Sequence, residues 1–251
     1  MIRAMLYITL IACLSSCNLP GGVENDSPLQ DTVDAMAAIQ AGLRIPEHLL
    51  VENAQRDGSE FDPNLYFTVL THLSMSPGYV LDYVYDYNGM GGRPVLYARP
   101  EGEALYPTYQ DFAASGLEDD AYLKAVVADG TPESYFELVA LSIMGGQFYL
   151  DWHANYNDTR IVCDTAALES LLDEIGSSGS EMGAADQARA RRIDLEPVIE
   201  IGEATVQVQI VTFTKWGGFF RETYTLERPY PYTIMDVQVE ELVAYDCGIM
   251  F

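Results

Sequence analysis

The chain has 251 residues, with 13 basic against 38 acidic side chains and a formal net charge of −25 at neutral pH. Nearly half of its residues are hydrophobic and a fifth are charged, which is the composition of a folded body rather than of a disordered chain. A field of that sign repels phosphate backbones and anionic headgroups, so nucleic acid is excluded as a natural partner and adhesion to a membrane by charge is disfavoured.

The chain opens with Arg3, an almost unbroken apolar run from Ala4 to Leu14, and the small residues Ser15 and Ser16. A basic start, an apolar core and small residues before a cut describe a secretory signal over residues 1–16, too short to cross a membrane as a mature helix. Leu14-Ser15-Ser16-Cys17 resembles the lipobox of bacterial lipoproteins. That resemblance covers four residues, and it implies export, removal of residues 1–16, acylation (palmitate) of Cys17 and a place in the cell envelope outside the cytoplasm. Asn18 stands where an Asp would resemble an inner-membrane retention signal, so the resemblance implies the outer membrane if the source has two membranes. Residues 17–30 then read as the lipidated cysteine and a Pro- and Gly-containing tether, and 31–251 as a single globular domain.

Apolar spacing over Asp34–Leu43 predicts a short helix, and Asp62-Pro63 a capped helix start with Tyr66, Val69, Leu70 and Leu73 on one face. Pro77-Gly78 is a turn. From Tyr79 a strand alternates Tyr79, Leu81, Tyr83, Tyr85 and Tyr87 with Val80, Asp82, Val84, Asp86 and Asn88, and the Asn88–Gly92 loop folds it into a hairpin with Pro94–Arg99. The tyrosine face is either a stacking platform for sugars or peptides or a packed core face, and packing accounts for it better. Short helices follow near Tyr109–Ala114 and Asp119–Val127.

Residues Tyr135–Asn155 admit two readings. Thr131-Pro132-Glu133 caps a helix through Met144, whereas a hairpin about Gly145-Gly146 gathers Val139, Leu141, Ile143, Phe148, Leu150 and Trp152 onto one apolar face. The hairpin orders the apolar residues better and is the expectation carried forward. Asp164 then caps a helix with Leu168, Leu171, Leu172 and Ile175 on one face, and Ala184–Arg192 reads as another. The chain ends in strands: Ala204–Trp216 and Phe219–Arg228 across Gly217-Gly218, then Ile234–Tyr245. Apolar residues on both faces predict a sheet that is covered on both sides or bulged near Ile210. The fold class is therefore α+β, with antiparallel β-hairpins and a C-terminal β-meander packed with several short helices.

The expected hairpin places Tyr149, Asp151, His153 and Asn155 on the face away from the core, a mixed polar and aromatic set that would line a pocket. Asp151 would orient His153 as a general base or ligand pair. Cys13 lies in the signal and Cys17 takes the lipid, leaving Cys163 and Cys247. In an oxidising compartment these two form a disulfide or stay as separate thiols, and the bridge would stabilise by about 3–5 kcal/mol. His48, His72 and His153 are scattered, with no His-Glu-x-x-His helix, no Gly-x-Ser-x-Gly elbow, no phosphate-binding glycine loop and no Cys-x-x-Cys pair. No metal, cofactor or catalytic set is indicated. The chain thus reads as a membrane-tethered, non-catalytic module that binds a small ligand, a glycan or another envelope protein. The alternative is an extracytoplasmic enzyme, a hydrolase using His153 with Asp151.

Overall fold

A computed structural model describes residues 27–177 and 181–248. The expected signal, Cys17 and most of the tether lie outside these residues. Among the described residues, five α-helices and ten strands follow in chain order. The first helix, α1 (Pro28–Gln40), begins six residues before the expected Asp34, and Gln30 is already buried in it. The folded body therefore reaches back into the stretch that composition assigns to the tether.

Asp62 caps a 3-10 turn over Pro63–Thr68 by accepting the Asn64 N–H at 2.9 Å. Tyr66 and Leu70 are fully buried beneath it. After β1 (Leu73–Met75), the Pro77-Gly78 turn leads into β2 (Tyr79–Tyr87), which pairs antiparallel with β3 (Gly91–Pro100) from Tyr79 opposite Pro100 to Tyr87 opposite Gly92. Both faces of this hairpin are covered. Leu81, Tyr83 and Tyr85 enter the main core, while Val84, Val95 and Tyr97 pack under Phe112 of α2 (Tyr109–Ala114). The tyrosine face is thus packed into the core through Leu81, Tyr83 and Tyr85, with Tyr79 exposed and Tyr87 partly buried at its ends.

The chain next forms a 3-10 turn over Ala121–Ala125 and β4 (Val126–Ala128), which pairs with β1. Here the structure corrects the expected hairpin: residues Pro132–Met144 form the helix α3, capped by the Thr131 hydroxyl, and not a strand. Nine of its thirteen residues are buried, so the helix is apolar on nearly every side and lies in the middle of the fold. It packs against α1, β1, β4 and the C-terminal sheet. A two-residue strand β5 (Asp151–Trp152) pairs with Gly91-Gly92 at the end of β3, and a 3-10 turn over His153–Tyr156 follows.

After β6 (Arg160–Ile161), Asp164 caps α4 (Thr165–Ser177) by accepting the Ala167 N–H at 2.8 Å. Then come α5 (Ala184–Ala190), β7 (Val198–Ile201), β8 (Thr205–Thr214), β9 (Gly218–Glu227) and β10 (Ile234–Ala244). These strands form a five-stranded antiparallel sheet in the order β10-β9-β8, with β6 and β7 both pairing to β8. The β8–β9 register runs unbroken, so Val206, Val208, Ile210, Tyr224 and Leu226 share the face toward α3. Val211, Phe213, Phe219 and Val243 meet Leu168, Leu171 and Leu172 of α4 on the other side. Each such buried leucine stabilises the fold by roughly 1.5–3 kcal/mol. The architecture is α+β, as composition and patterning predict.

Candidate functional site

The segment between α3 and β6 carries the four residues expected to line a pocket, and the structure arranges them differently. Tyr149 is buried. Its hydroxyl accepts the Phe61 N–H at 3.2 Å, and its carbonyl accepts the Tyr85 hydroxyl at 2.7 Å. Asp151 lies in β5 opposite Gly92. His153 belongs to the following 3-10 turn, and its N–H donates to the Met90 carbonyl at 3.3 Å. Asn155 falls in the same turn, and its side chain lies outside what the structure describes. No single strand face gathers these residues, because α3 takes the place of one strand of the expected hairpin and β5 is two residues long.

What the segment presents instead is a run of aromatic rings. Trp152 lies with its ring centroid 4.7 Å from that of His153, and His153 stacks toward Tyr156 at 6.5 Å with the planes only 16° apart. Tyr156 in turn meets Trp216 at 4.5 Å. Trp152 is 55% exposed and Tyr156 47%. Such rings offer rigid apolar faces with a polar edge, a combination suited to contact surfaces that must also tolerate water. Both tryptophans of the chain stand in this ladder.

The ladder is held from beneath. Phe148 packs edge-on against Phe61, Tyr83 and Tyr149, with centroids 4.7, 4.9 and 5.4 Å away. Below Tyr83 lies an ion network: Arg56 sits 3.7 Å over the Tyr83 ring and pairs with buried Asp82, which also accepts from Arg99 Nε at 2.7 Å. At the far end, Gln147 Nε2 donates to the Thr159 carbonyl at 2.9 Å, closing the segment into a loop. Asp158 accepts the Thr214 hydroxyl at 2.7 Å and the Lys215 N–H at 3.2 Å, which fixes the β8–β9 turn bearing Trp216 beside Tyr156.

Two backbone features mark this segment. Trp152 has φ +40° and ψ −108°, the conformation of the first central residue of a II′ turn, which ordinarily belongs to glycine. Strain of this kind costs on the order of 1–3 kcal/mol and concentrates where chains hold functional groups. Gly91 has φ +151°, and a Cβ there would meet the Asp151 carbonyl oxygen at 2.7 Å. Only glycine lets β5 approach this closely.

Beside the ladder, between α1, α4 and β6, lies a cleft of about 1040 Å³. Its carboxylates and amides already serve the fold. Gln30 accepts the Cys163 N–H and donates to Asp34, Asp164 accepts from Ser27 and Ala167, and Gln40 donates to Tyr66 and Met144. Cys163 and Cys247 are both buried, and the structure has no disulfide between them, the second of the two arrangements left open by the sequence. Burial pushes the Cys163 thiol well above its ordinary range, with Asp164 and Asp34 adding to the effect, so the thiolate is disfavoured there.

His48, Asp57 and Glu60 bring ligand atoms within 4.8 Å of one another. The Glu60 carboxylate already accepts from the Asp57 and Gly58 N–H groups and meets His48 at 2.7 Å, with Arg56 3.7 Å away. These atoms lock the loop before the 3-10 turn at Pro63.

The residues that sequence reasoning missed are Trp152, Tyr156 and Trp216. Trp152 was counted as core, yet its neighbours Asp151 and His153 are polar, and Trp216 directly precedes the Gly217-Gly218 turn. A large aromatic at a turn among polar residues was the available signal. Comparison with known protein families, with curated proteins and with solved structures finds nothing that matches this chain.

Proposed function

We propose that this chain is a lipoprotein of the bacterial envelope, tethered through Cys17, whose folded body is a non-catalytic binding module for a glycan. The lipobox-like Leu14-Ser15-Ser16-Cys17 supports the tether. No helix among the described residues is long and apolar enough to cross a membrane, which is compatible with an anchor supplied by lipid. The single observation that carries the binding role is the ladder Trp152, His153, Tyr156 and Trp216, whose Trp152 and Tyr156 are exposed and whose His153 and Trp216 are half-buried, mounted on a strained, well-anchored loop. Sugar rings stack on such faces through their C–H surfaces. A net charge of −25 turns away polyanions, so the favoured ligand is a neutral glycan. The alternative, an extracytoplasmic hydrolase using His153 with Asp151, drew on a single strand face, whereas Asp151 lies in β5 and His153 in the 3-10 turn that follows.

Affinity electrophoresis through gels containing neutral polysaccharides tests the proposal. The wild-type protein is expected to be retarded in at least one such gel, and Trp152→Ala and Tyr156→Ala to lose that retardation at least tenfold while keeping their circular dichroism. Equal migration of all three proteins in every polysaccharide gel would overturn the glycan assignment.

A further inference from the structure

β10 forms one margin of the C-terminal sheet. It pairs with β9 along one edge, and among the described residues no strand pairs with the other. Residues 235–241 are exposed without interruption. Irregular register between Ile234 and Asp236 and between Glu241 and Val243 brackets a regular stretch of 236–241. Natural sheets protect open edges with short strands, charged side chains (lysine above all), proline, β-bulges or a covering element; here the irregularities flank the stretch and its charges are all acidic. This stretch, Asp236-Val237-Gln238-Val239-Glu240-Glu241, contains no lysine and no proline.

The two sides of the strand differ. Val237 lies opposite Tyr224 and Val239 opposite Glu222, on the face that carries the main core. The core stops short of them: Tyr224 is buried, whereas Val237 is 40% exposed and Val239 61%. Asp236, Gln238 and Glu240 point to the opposite face, where Glu240 meets Arg221 at 3.1 Å. The open edge therefore offers backbone donors and acceptors, with Val237 and Val239 on one side, where Glu241 ends the apolar strip, and Asp236 and Glu240 on the other. An added strand would find pairing for its backbone, and its side chains would alternate between the valine side and the Asp236/Glu240 side.

We infer that this edge receives an extended segment of a partner protein by strand addition, and that the segment alternates β-branched apolar residues with lysine or arginine. The apolar residues would extend the strip of Val237 and Val239, and the basic ones would face Asp236 and Glu240. Charge favours this occupant over a second copy of the chain: a formal net charge of −25 opposes self-association, and antiparallel self-pairing centred on Gln238 would in addition set Asp236 of one copy against Glu240 of the other. This interface does not depend on the aromatic ladder.

Fluorescence anisotropy with two labelled nine-residue peptides tests it. One alternates lysine and valine, and the other has the same sequence with its central valine replaced by proline, which removes a ladder donor. The alternating peptide is expected to bind saturably, and the proline peptide at least tenfold more weakly. The charge-neutral double variant Val237→Asn/Val239→Asn, altered only at exposed positions, should weaken the alternating peptide at least fivefold. Equal binding of the two peptides would reduce the effect to non-specific charge and overturn the inference. So would failure of both to bind, or a concentration-dependent dimer of the protein alone that the double variant abolishes.

Discussion

Trp152 shows how one residue can combine a large exposed ring with a backbone that resists it. At φ +40° and ψ −108° any side chain beyond glycine is crowded, and Trp152 gains little burial in return. The strain persists because the turn is fixed on both sides, by Tyr85 on the Tyr149 carbonyl and by the Met90 carbonyl on the His153 N–H. Substitution separates strain from function. Trp152→Ala keeps the strained conformation and removes the ring, whereas Trp152→Gly removes both. Both variants should lose glycan binding, but Trp152→Gly should exceed Trp152→Ala in stability by about 1 kcal/mol, read as the difference in urea midpoint. A less stable glycine variant would show that the turn is not strained. Nothing in the sequence reveals this conformation, because a left-handed tryptophan is imposed by tertiary contacts and not by local preference.

Among the elements, those that follow a strict period were legible in the sequence. The β2–β3 and β8–β9 hairpins, α2 and α4 all show alternation, turn residues or a capped apolar face, and the structure forms each of them close to its expected bounds. The helix α3 was not legible. Tyr135–Leu141 is buried throughout, so no polar face marks its period, and a run apolar on every side fits a buried strand equally well. The deciding signal was local: Thr131 at the cap with Pro132 and Glu133 behind it. Misassigning α3 moved the candidate site as well, since a strand face through Asp151, His153 and Asn155 exists only if residues 135–144 are a strand.

The elements beneath the site also carry a testable energetic claim. Asp82 on β2 joins Arg56, from the loop ahead of the 3-10 turn at Pro63, to Arg99 on β3. The Asp82 carboxylate is buried, and so is most of Arg56. Removing one partner of a buried pair leaves the other charge uncompensated, so Asp82→Asn should destabilise the protein by about 3 kcal/mol in equilibrium urea unfolding. A loss below about 1 kcal/mol would mean that solvent already screens the network.

For the molecule as a whole, a two-sided C-terminal sheet separates a large core around α3 from a smaller one under α4 and α5. The aromatic ladder forms where the loop between α3 and β6 meets the β8–β9 turn, so its geometry depends on both the N-terminal hairpin and the C-terminal sheet. Surrounding it is a surface with only two lysines, Lys124 and Lys215. A surface of that sign opposes polyanions, while leaving stacking on neutral rings available to the proposed glycan. Under the proposed function, the lipid on Cys17 would hold the body at the envelope and the ladder would hold the ligand by apolar contact.

Because both tryptophans lie in the ladder, intrinsic tryptophan emission reads the proposed surface directly. Titration of the folded chain with the neutral polysaccharide that retards it in the gel is the most direct measurement. A saturable change in emission, reduced in Trp152→Ala and in Tyr156→Ala, is the predicted result. Emission that stays constant while the protein is visibly bound would place the ligand elsewhere and contradict the ladder as the binding surface.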